Sequence, residues 1–555
     1  MRVLVINLTR MGDLIQTIGL LNAIKKKYPD AKTDLLVMSG FYEITRHFDN
    51  INMVYSFDNE LFNPKLKDDF WDVFSELFKI VDQLNLNNYD LLLNPIVSKQ
   101  SALLAYLINA KEKKGMLYTT NNEQKISSDF IAYHLANQHQ LGDHCLNLVD
   151  IFAGLVGQRI DFSDYNLNVD NDIEDSPSLR KLNKFLNRSN AEIKKIVGIH
   201  IGASQSNKAW DVSLYFKLIK QLVESNEVLV ILFGGYNEID YKSIFSEIIA
   251  DNFLNTIGDY KLNELIFAIN QIDLMVTNDT GPMHIATTLK KPIIDISLGP
   301  VSKWETAPYS ENTLIIEANI QCHPCSFEYK CPHWDCHYYI DPELVYYAIF
   351  YKLDIDKKKT DFYLSRLNNN PKINLFVSRK DIFNFQIFYP LFKTVLSEKE
   401  YIFEAKRFVW ALTLSNNLQI TKDDFLRLYK NYFDELSDRY QISKYKYADM
   451  IKLIQSISKY ILNIIVYLEK IEYNKKSLDK IKELLLYVKR DKQILFNKAK
   501  EYQVIYDWFW FATFKESEIE DENINQIARS TKIVYNNLYS QLQFFSELLN
   551  YNLLD

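Results

Sequence analysis

The sequence predicts an α/β protein with two doubly wound parallel sheets, followed by an all-α region at the C-terminus. In the N-terminal part, short aliphatic runs alternate with amphipathic stretches, which is the βα alternation typical of such sheets. All 14 glycines lie at or before Gly299, and no proline follows Pro390. Because glycine and proline are the strongest helix breakers, we expect the chain beyond Pro390 to be almost entirely helical.

Seven aliphatic runs predict buried parallel strands. They are residues 3–7, 33–38, 90–94, 196–201, 227–233, 274–277 and 292–297. The polar stretch 168–178 is the predicted linker between the two sheets. We therefore expect an N-terminal Rossmann-like domain over residues 1–170, a second over 179–354, and an all-helical domain over 355–555.

The helical region shows its own periodicity. Apolar residues recur at helical spacing, at Ile454, Ile457, Ile461, Ile464, Leu468 and Ile471, and again at Leu478, Ile481, Leu485 and Val488. Ser397 with Glu400 predicts a capping box, and Thr421 predicts a second helix start. No fixed-period repeat is present, so a bundle is favoured over a solenoid. The aromatic run Trp508 to Trp510 suits a core or an interface, and we favour the core.

Composition limits the class of function. The formal net charge of -7 argues against wholesale nucleic-acid binding. No apolar stretch approaches the roughly 18 residues needed to span a bilayer, and the first aliphatic run is too short for a signal peptide. We therefore expect a cytoplasmic protein without a transmembrane segment.

Residues 272–284 carry the most informative pattern. An apolar run ends in a polar turn, after which Gly281 and Pro282 open a predicted helix. The first helical turn leaves backbone N–H groups free, and the helix dipole adds positive potential there, so a diphosphate can bind without a metal. Thr280 can add a hydroxyl donor, and Gly281 permits close approach to the backbone.

Three further residues follow predicted strands and are candidates for chemistry. Asp13 is either a general base or a first-turn acid that stabilises a helix dipole. Lys208 is either a cation for a bound anion or a solvated loop lysine. Glu238, after a Gly-Gly turn, is either a ligand of ribose hydroxyls or a first-turn acid. The pattern G-x-G-x-x-G is absent, which argues against a nicotinamide dehydrogenase.

Four of the five cysteines lie within fifteen positions, at Cys322, Cys325, Cys331 and Cys336. Short spacings of this kind predict one structural zinc or iron ion, with free thiols as the alternative. His323, His333 and His337 are nearby substitutes for a ligand, although surface or supporting roles fit them better. Cys145 stands apart and is predicted to be a small core residue.

Five motifs together resemble the heptosyltransferase family, glycosyltransferase family 9. They are Arg10-Met11-Gly12-Asp13, His144 with Gly157, residues 199–210, residues 234–238 and residues 278–284, in the order of the family. The resemblance implies a GT-B fold, in which two Rossmann-like domains face a cleft. It also implies inverting transfer of heptose from an ADP-sugar, without a catalytic metal.

The resemblance assigns a role to each candidate. Asp13 would remove the proton of the acceptor hydroxyl, Lys208 would neutralise the donor phosphates, and Glu238 would hold the nucleotide ribose. Thr280 and Gly281 would cradle the diphosphate. Asp279 and His284 would order that turn.

The cysteine cluster resembles that of the bacterial autotransporter heptosyltransferases, which bind iron, form rings and modify adhesin hydroxyls. This implies a protein acceptor and a homo-oligomer. Those enzymes carry an extra N-terminal region, whereas here the first strand begins at Arg2, and the helical tail has no counterpart. Transfer to a protein hydroxyl is thus the leading expectation. The alternatives are a lipopolysaccharide inner-core acceptor, or a non-catalytic binding or assembly protein built on a transferase core.

Overall fold

The structure is a computed structural model that describes residues 1–58, 70–119, 123–138, 144–169, 176–188, 195–326, 331–367, 370–416, 418–442, 447–473, 478–519 and 523–551. The strands are β1 (Arg2–Asn7), β2 (Lys32–Met38), β3 (Met53–Phe57), β4 (Tyr89–Asn94), β5 (Ala110–Tyr118), β6 (Gln124–Ser127), β7 (Ile196–His200), β8 (Leu229–Phe233), β9 (Phe253–Asn255), β10 (Leu274–Thr277), β11 (Ile293–Ser297), β12 (Leu314–Ala318), β13 (Ile373–Lys380), β14 (Gln386–Pro390), β15 (Thr394–Leu396) and β16 (Tyr440–Ile442). The helices are α1 (Met11–Gln16), α2 (Ile18–Lys27), α3 (Phe70–Asn85), α4 (Lys99–Leu107), α5 (Asp129–Gln138), α6 (Leu148–Gly154), α7 (Pro177–Arg188), α8 (Val212–Ser225), α9 (Lys242–Phe245), α10 (Leu262–Asn270), α11 (Gly281–Thr288), α12 (Lys303–Thr306), α13 (Asp335–Tyr339), α14 (Pro342–Lys352), α15 (Lys357–Leu367), α16 (Glu398–Leu414), α17 (Lys422–Arg439), α18 (Ala448–Glu472), α19 (Leu478–Lys500), α20 (Gln503–Ser517) and α21 (Ile524–Tyr551).

The chain divides into two compact units that differ from the predicted domains. The first unit comprises Met1–Ile6, Leu61–Cys145 and Lys393–Asp555, and the second comprises Asn7–Glu60 and Leu146–Phe392. Segments far apart in sequence therefore share each unit. The predicted boundaries at 170 and 355 missed this, because sequence periodicity identifies elements but not which distant elements pack together.

In the first unit, β4 lies between β1 and β5, with both pairs parallel, and β6 runs antiparallel to β5. The C-terminal helices of this unit pack on α5, mainly through α20. The ring of Tyr133 on α5 meets Trp410 on α16 edge to face, with centroids 4.9 Å apart. Trp508 and Phe509 are buried, which confirms the expectation that this aromatic run belongs to a core.

Helix α18 buries the predicted apolar stripe, which includes Ile454, Ile457, Ile461, Ile464 and Leu468. It packs on α19 and α21. This helix of 25 residues is also long and apolar enough to cross a membrane, by length and composition only. The expectation that no segment would meet this criterion was therefore wrong, although core helices of soluble proteins meet it as well.

In the second unit, β2 and β3 form a parallel pair, and eight strands form a sheet in the order β14-β13-β12-β11-β10-β7-β8-β9. Strands β7 to β12 are mutually parallel, whereas β13 and β14 add an antiparallel edge. The range 355–555 is thus not all-helical. The runs at 373–377 and 385–389 are rich in β-branched and aromatic residues, and β13 pairs with β12 from Ala318↔Ile373 to Leu314↔Val377.

All seven predicted strands exist, within a few residues of the expected ends. The predicted α/β class of GT-B type, two sheets of mainly parallel strands with a helical C-terminal region, is confirmed in this sense. The predicted linker 168–178 lies largely outside the described residues, and α7 begins at Pro177 within it.

Candidate active site

Two helix starts approach each other closely in the second unit. A Cβ atom placed on Gly12 of α1 would lie 3.0 Å from Cδ2 of His284 on α11. A Cβ atom on Gly281 would lie 2.1 Å from the methyl carbon of Met11. Both glycines therefore leave room for these side chains where α1 approaches α11. This contact brings the motif around Asp13 next to the predicted phosphate turn.

The start of α11 agrees with the prediction. Thr280 is the N-cap, and its hydroxyl accepts a hydrogen bond from the backbone N–H of Met283 at 3.4 Å. The same hydroxyl lies 3.3 Å from that of Thr277. Thr280 thus has a structural role in the cap. Pro282, Met283 and His284 of this turn are buried, whereas Thr280 and Gly281 keep part of their surface exposed, so an anion can approach the positive end of the helix dipole from their side.

Lys208 and Asp279 form an ion pair beside this turn. The ammonium of Lys208 lies 2.8 Å from the carboxylate of Asp279. Asp279 also lies 3.8 Å from Nε2 of His284. Burial lowers the pKa of His284 to about 4, so its imidazole is neutral at pH 7. The predicted solvated lysine is therefore excluded: Lys208 is buried and fixed by a carboxylate.

Asn278 connects the turn to the loop that carries Lys208. Its side-chain oxygen accepts hydrogen bonds from the backbone N–H of Trp210 at 3.0 Å and from the hydroxyl of Tyr215 at 2.8 Å. Its amide donates to the carbonyl of Ile296 at 2.7 Å. The side chain is fully buried. Asn278 therefore fixes α8, β10 and β11 relative to one another at this edge of the sheet.

Asp13 lies in the first turn of α1 with an unusual electrostatic environment. Burial, with the nearby carboxylates of Asp279 and Glu305, raises its pKa to about 6, and the cations Arg10 and Lys208 oppose this rise. A carboxyl group with a pKa near neutrality is suited to general-base chemistry. The helix-start interpretation is also correct in part, because Asp13 is the acidic residue of that turn.

Glu238 is placed at the carboxyl end of β8, as predicted. Its carboxylate accepts a hydrogen bond from the backbone N–H of Gly235 at 2.7 Å. It also lies against the β7 loop, since a Cβ on Gly202 would be 2.8 Å from its carboxyl carbon. The first-turn interpretation of Glu238 is thus confirmed for this structure, and its second carboxylate oxygen is directed at the end of the neighbouring strand.

Two acidic residues near this site were not predicted from the sequence. Glu305 of α12 acts on the pKa of Asp13, as described above. Asp295 of β11 is fully buried, and neither of its carboxylate oxygens has a hydrogen-bond partner among the described residues. Burial, with the nearby carboxylates of Asp279 and Glu317, raises the pKa of Asp295 well above its ordinary value. The sequence does contain a signal for Asp295, because it is an acidic residue within an aliphatic run that predicts a strand.

The four clustered cysteines line one small cavity in the second unit. Its volume is about 20 Å³, enough for a single ion or water, and Cys322, Cys325, Cys331 and Cys336 all contribute to its wall. Their sulfur atoms do not all lie within 4.8 Å of one another. His323 and His337 have ring nitrogens 3.1 and 3.3 Å from the carbonyls of Gly299 and Asn207. These contacts connect both histidines to the backbone beside the cavity.

The cavity adjoins the loop of Lys208. Gly299 has a φ of +59°, and a Cβ there would lie 2.3 Å from the carbonyl oxygen of Asn207. The backbone N–H of Cys325 donates to the carbonyl of Gly299 at 3.0 Å. The indole N–H of Trp210 donates to the carbonyl of His337 at 3.1 Å. The cysteine region therefore supports the backbone on both sides of Lys208.

The motif residue His144 and the separate cysteine Cys145 lie in the first unit. His144 approaches His134, with ring nitrogens 3.2 Å apart. Cys145 is buried against the hydroxyl of Tyr133 at 3.2 Å, and burial raises its pKa to about 12. Cys145 is therefore the small core residue that was predicted.

The family model and the relatives that match this chain agree with one another. Residues 77–335 match the sequence model of glycosyltransferase family 9 (heptosyltransferase). The chain is 32% identical over 158 residues to lipooligosaccharide heptosyltransferase 2 of Campylobacter jejuni, covering 27% of this chain and 49% of the relative. It is 25% identical over 307 residues to lipopolysaccharide heptosyltransferase 3 of Escherichia coli K12, covering 55% of this chain and 84% of the relative. The chain thus spans about half the length of the first of these relatives.

Among solved structures, the chain is similar to the E. coli ADP-heptose lps heptosyltransferase II, with a TM-score of 0.47 and 20% identity over 64% of this chain and all of that one. The matched residues 77–335 include Lys208, Glu238 and the turn from Asn278 to His284. Asp13 lies before the matched residues, so its assignment to the candidate active site depends on the geometry alone. Residues 77–335 of this chain thus match glycosyltransferase family 9, and the named relatives to which the chain is similar are heptosyltransferases.

Proposed function

We propose that this protein is an inverting heptosyltransferase that moves heptose from ADP-heptose to a hydroxyl group of a lipopolysaccharide or lipooligosaccharide core saccharide. The observation that carries the proposal is the convergence of Asp13, the Lys208–Asp279 pair and the start of α11 in one unit. A base, a cation and a helix N-terminus are the parts required for glycosyl transfer from a nucleotide diphosphate. A non-catalytic protein would need none of them together.

In the proposed reaction, the acceptor oxygen forms a bond to the anomeric carbon while the bond from that carbon to the diphosphate breaks. The acceptor proton passes to the carboxylate of Asp13, and ADP leaves with the bonding electron pair. A pKa of about 6 leaves Asp13 mostly ionised at pH 7 to 8, yet basic enough to accept the proton. A positioned base of this kind contributes roughly 10²- to 10⁴-fold to the rate.

The leaving diphosphate gains negative charge as the bond breaks. Lys208 and the positive end of the α11 dipole lie where they can stabilise that charge without a metal ion, although Pro282 has no N–H and that of Met283 already bonds to Thr280. Asp279 keeps the ammonium of Lys208 in place before the donor binds. Because His284 is neutral, it adds no charge and acts by packing against Gly12.

The acceptor of the relatives favours a lipopolysaccharide saccharide over a protein. Lipopolysaccharide heptosyltransferase 1 of Campylobacter coli is 25% identical over 304 residues and, like the other named relatives, carries lipopolysaccharide or lipooligosaccharide in its name. The protein acceptor expected from the cysteine cluster has no support from these names. We therefore adopt the alternative acceptor, and ring assembly stays a prediction.

The test is a transfer assay with purified protein and ADP-heptose, offered in parallel a heptose-deficient core oligosaccharide and an unmodified adhesin passenger domain. Transfer to the oligosaccharide with release of ADP is expected. Transfer to the protein alone would show that the acceptor is a protein hydroxyl, while the proposed heptose transfer would still hold. If ADP-heptose neither binds in a calorimetric titration nor reacts, the transferase proposal fails.

We also propose that the cysteine cavity binds one structural metal ion, iron or zinc. The fit is supported by the shared cavity of about 20 Å³ and by thiolate chemistry, which suits both metals. Binding would draw the four sulfur atoms together. Since the cavity adjoins Gly299 and Asn207, the ion would stabilise the Lys208 loop and take no part in the transfer.

This proposal has a readout other than activity. Elemental analysis of the purified chain should give about one metal ion per chain. Cys325→Ser with Cys331→Ser should lose the metal and melt at a lower temperature, whereas Cys145→Ser, at the cysteine outside the cavity, should keep the metal. Equal metal content in the three proteins would contradict the proposal.

A further inference from the structure

The helical part of the first unit contains a second cavity, unrelated to the residues of the candidate active site. Its volume is about 390 Å³, within the range typical of small-molecule sites, which runs from roughly 300 to 1,000 Å³. It lies where the end of α16, the helices α20 and α21, and the first residue of α5 meet. Neither the family match nor the proposed transfer reaction accounts for it.

Polar side chains of one type dominate the wall of this cavity. Asn416, Gln419, Asn537 and Gln541 each present a side-chain amide. Gln541 is buried and donates to the hydroxyl of Thr413 at 3.1 Å, which fixes its orientation. No described residue forms a side-chain hydrogen bond with the amides of Asn416, Gln419 or Asn537 within the structure. These groups are therefore available to a ligand.

Amides recognise a particular kind of partner. Each carries both a donor and an acceptor, which matches the hydroxyl group, itself donor and acceptor. The rest of the wall is apolar, with Phe511, Val534 and Leu538. A pyranose ring has the same division, with hydroxyl groups at its edge and C–H groups on its faces. The wall thus combines the two surfaces that a saccharide requires.

The charges of the wall oppose an anionic ligand. Lys515 is its cation, and its ammonium lies 2.6 Å from a carboxylate oxygen of Asp129 and 2.5 Å from one of Glu518. Two carboxylates surround one ammonium, so the net charge of these three groups is negative. A phosphate or carboxylate ligand would have to displace one of these carboxylates, whereas a neutral ligand would leave the pairs intact.

We propose that this cavity is a binding site for a neutral saccharide of one or two sugar units, held by the amides of Asn537 and Gln541 and packed on Phe511. The inference does not depend on heptose transfer, because it concerns residues of α16, α20 and α21. In a transferase, such a site would hold a sugar unit of a longer glycan. The amides match hydroxyl groups, the aromatic ring matches a sugar face, and the negative net charge disfavours an anion. Together these features favour a neutral saccharide as the ligand.

The test uses the full-length chain and saturation-transfer difference NMR with the methyl glycosides of glucose, galactose, N-acetylglucosamine and heptose, and with lactose. At least one of these probes should show saturation transfer, and saturating ADP should leave the signal unchanged. Asn537→Leu should weaken binding at least tenfold. Asn536→Leu is the matched control, because Asn536 is the neighbouring exposed residue of α21 and does not line the cavity.

A second variant tests the cavity by a different change, so that the test does not depend on the folding of the first variant. Ile533→Trp, at a half-exposed residue of the same wall, should block the cavity by volume while both variants keep the helical circular dichroism of the parent chain. Absence of binding by every probe, equal binding by the Asn537→Leu and Asn536→Leu chains, or displacement of the saccharide by inorganic phosphate would each overturn the proposal. Heptose transfer, measured separately, succeeds or fails independently of these results.

Discussion

The ammonium of Lys208 lies 2.8 Å from the carboxylate of Asp279, and each side chain is about nine-tenths buried, with 9% and 10% of its surface exposed. A buried charge is costly unless it is paired, so the carboxylate of Asp279 offsets the cost of burying Lys208 in the absence of a donor. The same carboxylate raises the pKa of Asp13. Asp279 therefore acts both on Lys208, the proposed phosphate contact, and on Asp13, the proposed base.

Lys208→Ala should weaken ADP binding by roughly tenfold to a hundredfold, since a charge-assisted hydrogen bond contributes about 1.5 to 3 kcal/mol. Calorimetric titration with ADP measures this. The substitution also leaves Asp279 buried without its cation, so the melting temperature should fall. Adding Asp279→Asn should restore much of the stability but not the affinity. Equal ADP affinity in the parent and Lys208→Ala chains would remove Lys208 from the donor site.

Asp13→Asn should lower turnover by about 10²- to 10⁴-fold while ADP binding is retained, because the amide cannot accept the acceptor proton. Its effect on stability has a defined sign. The pKa of Asp13 rises from 3.8 to about 6 on folding, so the folded state binds more protons between these values and the free energy of unfolding falls as pH rises through them. Above pH 6 the substitution should therefore raise the melting temperature, and below pH 4 it should not. Normal turnover in this variant would eliminate Asp13 as the base.

Glu305→Gln should move the acidic limb of the pH–rate profile to lower pH. The parent profile should rise with pH through about 6, where Asp13 ionises. Glu305 raises that pKa and Lys208 lowers it, so Lys208→Ala should move the limb in the opposite direction. Profiles of kcat under saturating donor for the three proteins provide the comparison. Shifts of the same sign would contradict this arrangement of charges.

Asn278→Ala should destabilise the protein by about 3 kcal/mol, because three buried hydrogen bonds at about 1 kcal/mol each are lost together. Urea denaturation measures the change. Ser297→Ala, one residue beyond Ile296, is the control: its buried hydroxyl has no hydrogen-bond partner among the described residues, so its removal should be close to neutral. A similar loss in both variants would show that Asn278 has no special role.

Much of the sheet architecture could be predicted because buried parallel strands are continuous aliphatic runs, as in β7 and β10. The start of α11 was predictable because its N-cap, glycine and proline have local preferences. Glu305 and the bonds of Asn278 were not, since each depends on residues distant in sequence. The edge strand β13 was missed because the absence of glycine was weighed more heavily than its β-branched and aromatic composition.

The association of the helical tail with residues 61–145 leads to a prediction about truncation. Helix α5 buries Tyr133 against Trp410 of α16, and its Asp129 pairs with Lys515 of α20 at 2.6 Å. A chain that ends at Phe392 would expose this face of α5, and one that ends near residue 355 would also lose β13 and β14. Both truncated chains should be insoluble or should aggregate on purification. Trp410→Ala in the full-length chain should cost about 3 to 5 kcal/mol for the same reason, whereas deletion of residues 552–555 is a control expected to leave solubility unchanged. A soluble, cooperatively melting chain that ends at Phe392 would show that the tail is an accessory domain with a core of its own.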